Sequence, residues 1–130
     1  MTEVEKILRM IEEVDPADTA KLDEIDARAH NFFLGFTEGP VNDRYDWGWC
    51  THNGFILNAP KYTRSRDALK EIRPDDFVIT QISQHPKRGF IFNASDTNGV
   101  THTTPFLPTE TLAKLHAIIQ AIAYERKNND

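Results

Sequence analysis

Hydrophobic positions recur along this chain with two different periods, and each change of period marks a change of element. Val4, Ile7, Leu8, Ile11 and Val14 follow helical spacing. Ahead of them Thr2 and Glu5 form a capping box, in which each side chain satisfies a free amide of the other. Asp15-Pro16 stops this helix, because a residue before proline is driven out of the α region. A second helix is predicted from Asp18-Thr19. Leu22, Ile25, Ala29, Phe32 and Phe33 line one of its faces; Asp23, Glu24, Asp26 and Arg28 line the other, and Gly35 serves as its C-terminal cap.

From Gly39 the period shortens. Tyr45, Trp47 and Trp49 alternate with Asp46, Gly48 and Cys50, as strand residues do. Asn53-Gly54 is a hairpin turn, returning as Phe55-Ile56-Leu57. A short helix follows, capped by Thr63 or Ser65, with Ala68, Leu69 and Ile72 inward and Pro74 as its stop. Phe77 to Ser83 reads as the clearest strand. The turn His85 to Gly89 sends it back as Phe90 to Ala94, and Asp96 to Gly99 turns again into Val100 to Thr104. Thr109 caps a final helix whose apolar face carries Leu112, Leu115, Ile119, Ile122 and Ala123. Hairpins imply antiparallel pairing. The expected fold is therefore α+β: an antiparallel sheet of about four to six strands sandwiched by helices, with the long C-terminal helix packed on one face. No linker or repeat divides it, so residues 1–130 are expected to form one domain.

Composition narrows the partners. Apolar residues make up 39% of the chain, with eight Phe and two Trp, so the core is expected to be thin, aromatic and completed by a second subunit. The net charge of −5 disfavours duplex DNA and anionic membranes, which reward a basic face. Cys50 is the single cysteine, which leaves neither an internal disulfide nor a thiolate zinc site. With an acidic N-terminus and no apolar run of spanning length, the expected location is the bacterial cytoplasm.

Candidate chemistry is sparse. None of the five histidines forms a metal-binding pair by spacing, and His102 has no carboxylate partner fixed by spacing. His116 adjoins the apolar stripe of the last helix and reads as a core or interface histidine. No catalytic residue, metal or cofactor is expected. Trp47 and Trp49 share a strand face with Tyr45, fit either to pack under a helix or to stack on a base. Phe90 and Phe92 offer the same choice. Arg64 and Arg66 stand at a helix start, against the dipole preference, where guanidiniums and free amides together suit a phosphate. Arg88 with Phe90 is the next such place.

The run Tyr62-Thr63-Arg64-Ser65-Arg66-Asp67-Ala68, closed by Ile72-Arg73-Pro74, resembles the Y-T-x-S-x-D-A … L-V-P-x-G-W signature of the phage α/β/α ("ABA") sandwich domain family. Lys21-Leu22-Asp23-Glu24-Ile25 is similar to its opening E-L-D helix, and Thr111 to Ala123 to its closing alanine-rich helix. The pattern departs where Asp76-Phe77 replaces Gly-Trp and where Thr104-Pro105-Phe106-Leu107 replaces a small-residue entry to the last helix. The resemblance implies a small phage or prophage protein with an α/β/α sandwich, and carries over no activity.

Together these readings favour a non-catalytic accessory protein. The first expectation is a homo-oligomeric sponge that sequesters a cyclic nucleotide or cyclic ADP-ribose immune signal, with Arg64, Arg66, Trp47, Trp49, Arg88 and Phe90 around the ligand. The alternative is an interaction module that inhibits a host enzyme or serves in phage structure or assembly. A small hydrolase using His52 or His102 with an aspartate ranks third.

Overall fold

The computed structural model of the protein describes residues 2–35, 59–74, 77–96 and 98–128. The chain divides into two compact units, Met1–Ala68 and Leu69–Asp130.

The first unit opens with α1 (Glu3–Glu13), capped by Thr2, whose Oγ1 accepts from the Glu5 amide at 3.2 Å. Helix α2 (Thr19–Phe33) begins at Asp18, which accepts from the Lys21 amide at 3.2 Å. Between them Asp15 accepts from the Ala17 amide and tightens the turn at Pro16. Ile7 and Ile11 of α1 and Leu22, Ile25, Ala29 and Phe32 of α2 are buried. Glu3 and Glu24 both accept from Arg28, at 2.7 and 3.0 Å, so one guanidinium ties the two helices together. Asp26 departs from expectation. It belongs to the helix face read as solvated, yet it is fully buried.

Helix α3 (Arg66–Ile72) spans the junction of the two units. Ser65 caps it, accepting from the Ala68 amide at 3.2 Å, and Leu69 is fully buried.

The second unit contains three antiparallel strands in the order β1 (Val78–His85), β2 (Gly89–Ser95), β3 (Thr101–Thr103). Helix α4 (Glu110–Asn128), capped by Thr109, packs on β2 and β3. Phe92 and Ala94 of β2 and Leu112, Leu115, Ile118 and Ile119 of α4 are buried. Ile122 and Ala123, expected in that core, are only half-buried. The next face of β2 is polar. Thr103 donates to Asn93 at 2.8 Å and Asn93 to Gln81 at 3.0 Å, a side-chain ladder across all three strands. A bulge between Ile79 and Gln81 shifts the β1 register, and Thr80 within it donates to the Asn93 carbonyl.

The α+β class and the docked C-terminal helix are thus present. Three strands form among the described residues, and they are antiparallel as expected. The expected Tyr45–Trp49 and Phe55–Leu57 hairpin lies outside the described residues, as does Cys50. Among the described residues, no helix is long and apolar enough to cross a membrane.

Candidate functional site

The sequence points first to the helix start at 62–66. Tyr62 and Thr63 are buried, and Pro60 to Ser65 form tight backbone turns. The Thr63 amide donates to Asp26 Oδ1 at 2.8 Å. The Arg64 guanidinium donates to Asp26 Oδ2 at 2.7 Å and to Asp23 Oδ1 at 2.6 Å. Lys61 also reaches Asp23, at 2.9 Å. The amides of Arg64 and Ser65 are taken by the Lys61 carbonyl. A carboxylate from α2 therefore stands where a phosphate was expected, bound by the same amide and guanidinium. Burial pushes the Asp26 carboxyl above its ordinary value, and hydrogen bonds from Arg64 and Thr63 pull it partly back. For the more open Asp23, burial also works upward, but hydrogen bonds from Arg64 and Lys61 prevail and hold it low. Tyr62 adds a bond between its hydroxyl and His30 Nδ1 at 2.9 Å, and its ring meets Phe33 edge-on. Arg66 opens α3 with an exposed side chain. Trp47 and Trp49 lie outside the described residues.

A second candidate sits at the tip of the β1–β2 hairpin. The Arg88 amide closes the turn onto the His85 carbonyl, and His85 Nδ1 accepts from the Lys87 amide. The Arg88 guanidinium lies over the Phe106 ring, 5.7 Å from its centroid, and the His85 ring meets the same ring edge-on at 6.2 Å. Phe106 is 37% exposed, and Lys87 and Arg88 are exposed. No carboxylate among the described residues pairs with Lys87 or Arg88, in contrast to Arg28 and Arg64. Phe90 contributes backbone to this tip. It exchanges two hydrogen bonds with Leu107, at 2.7 and 2.8 Å, and its side chain is half-buried. Gly89 has φ +95° and abuts the Leu107 carbonyl, leaving no room for a side chain.

Structure also unites two residues that spacing left apart. His102 Nε2 meets Asp96 Oδ2 at 2.7 Å, both buried. Asp96 Oδ1 accepts from the amides of Asn98 and Val100, so one side chain builds the β2–β3 turn and anchors β3. Burial raises the Asp96 carboxyl, but His102 and the two amides overcome that and hold it below its usual value. The signal was an aspartate opening an Asn-Gly turn with a histidine on the return strand. An Asp–His pair of this kind can orient a general base. Here no hydroxyl or thiol among the described residues bonds to the ring, and Tyr124 meets it edge-on at 5.6 Å. Among the described residues, no cluster of three or more His, Cys, Asp or Glu is arranged to hold a metal ion.

No protein-family model, curated protein or solved structure matches the chain. The likeness to the ABA sandwich family accordingly rests on its short motifs.

Proposed function

We propose that this chain is a non-catalytic interaction module that engages a protein partner along β1 and its hairpin tip. The observation that carries the reading is β1 itself. Val78 and Ile82 are 54% and 53% exposed, although fully burying such a side chain is worth about 1.5–3 kcal/mol. Among the described residues β1 is an edge strand, and edge strands recruit further strands through their open backbone groups. The tip adds two cations and an exposed ring at one end of that edge. The phage or prophage setting comes from the motif resemblance alone. The test is a comparison of wild type with Val78→Lys and Ile82→Lys in affinity capture from host extract. Partners held by wild type and lost by both variants support the reading; an identical set counts against it.

A nucleotide-sequestering role keeps one supporting observation, the Arg88 guanidinium over the Phe106 ring. Arg64 supports it less, because two carboxylates already hold that guanidinium. Incubation with cyclic nucleotides, followed by denaturation and recovery of intact ligand, would favour this second reading. Recovery of altered ligand would indicate an enzyme.

A further inference from the structure

We infer that the β1–β2 hairpin tip binds an acidic peptide segment, a stretch of the partner rich in aspartate or glutamate. This rests on the interaction reading above and names the partner's chemistry. Acidic residues are unevenly placed along the chain. Of the 20, one alone, Asp96, falls within residues 77–109, the span of the three strands and the link to α4. Asp96 is buried and bound to His102, so it does not offset the basic side chains of that span. Lys87 and Arg88 are exposed at the turn, and neither has a carboxylate partner among the described residues. In a chain of net charge −5, the tip is therefore a local reversal of sign. Such a patch attracts acidic segments and turns basic ones away.

The tip is also held ready for a carboxylate. The Arg88 amide closes the turn on the His85 carbonyl at 3.2 Å, and the two hydrogen bonds between Phe90 and Leu107 fix Phe106 beside it. The Phe106 ring lies under the Arg88 guanidinium, 5.7 Å from centroid to carbon, and restrains it without using its N–H groups. A guanidinium restrained in this way loses less freedom when its paired donors take a carboxylate. His85 adds a donor. Its Nδ1 accepts from the Lys87 amide at 3.2 Å, so the neutral ring carries its proton on Nε2. The exposed part of Phe106 offers apolar contact to the methylenes of a glutamate. Two cations match one or two carboxylates, whereas nucleic acid binding draws its strength from many phosphate contacts.

Titration of the isotope-labelled full chain with hexaglutamate, followed through amide chemical shifts, tests the inference. Shifts should cluster at His85 to Phe90 and at Leu107, and binding should weaken as salt is raised. Arg88→Glu should raise the dissociation constant at least about tenfold. Arg88→Lys and Phe106→Leu should each raise it about threefold or more, with the charge unchanged, because the stacked fork is lost. The same spectra show whether each variant is folded. Shifts that do not cluster at the tip, or hexaglutamine binding as well as hexaglutamate, overturn the inference. So does a loss confined to Arg88→Glu, which would make bulk charge sufficient. Cyclic AMP that binds the same residues more tightly than hexaglutamate overturns it in favour of a phosphate ligand. The β1 reading is judged separately, by what Val78→Lys and Ile82→Lys capture, so either can fail while the other stands.

Discussion

Asp26 illustrates how far one side chain can redirect the meaning of a motif. Helical spacing put it among solvated acids, but its carboxylate is fully buried and holds the Thr63 amide and the Arg64 guanidinium. Removing it leaves the buried Thr63 amide without its acceptor and takes from Arg64 one of its two carboxylates. Asp26→Ala should therefore cost about 2–4 kcal/mol in urea unfolding. Asp23→Asn, at a more open site, should cost under about 1 kcal/mol. His116 makes a pH prediction. Burial lowers its pKa from 6.5 to about 4, so the native state resists a proton that the unfolded chain accepts. Stability is then constant above about pH 6.5 and falls as pH drops toward 4, by up to about 3 kcal/mol. His30 is shifted in the same direction by burial and adds to the slope. Asp23 and Asp96, held low, lose their contributions only below the unfolded carboxylate value near 3.8. His116→Gln should flatten the profile between pH 6.5 and 4 in chemical denaturation; an unchanged slope would assign it to other groups.

At the scale of elements, α4 and the hairpin tip make contrasting predictions. Leu115 of α4 is fully buried, and Leu115→Ala should cost about 2–5 kcal/mol. A loss below about 0.5 kcal/mol would mean that the helix is not docked. Gly89→Ala should cost about 2 kcal/mol or more, because a side chain there meets backbone, which cannot rotate aside, at a positive φ. Thermal denaturation of both variants checks the pair. The elements were largely legible in sequence. Thr2, Asp18, Ser65 and Thr109 cap the helices as expected, and both turns of the meander fall where Gly89 and Gly99 allow positive φ. Caps and turns are local chemistry, which a sequence displays directly. What it hid is non-local: the grip of Asp26 on a segment 37 residues away. The clasp of Asp96 on His102 spans only 6 residues and was within reach of the turn signal. Helical periodicity sorts faces by hydrophobicity, and so assigns every acid to solvent.

For the molecule as a whole, each unit has its own buried set of apolar side chains, and each is fastened by a buried aspartate, Asp26 in the first and Asp96 in the second. Polar anchors of this kind favour one arrangement over its near neighbours, since every alternative leaves an amide unsatisfied. The candidate site divides in the same manner. Two arginines of the first unit, Arg28 and Arg64, are held by carboxylates, while Lys87 and Arg88 of the hairpin in the second are exposed. Arg88→Glu should therefore leave unfolding stability within about 0.5 kcal/mol of wild type while changing what the protein binds. A large stability loss would instead make Arg88 a structural residue.

The Asp26 carboxylate can also be regarded as a tethered ligand. It occupies two donors that suit any small oxyanion, and it is present at an effective concentration no free solute matches. Cutting the tether should expose the vacancy. In Asp26→Ala, formate or acetate at high concentration should raise the melting temperature by more than it does in wild type, whereas chloride at equal ionic strength should not. Such chemical complementation would make the same residues that now lock a turn into a receptor, separated from that role by a single side chain.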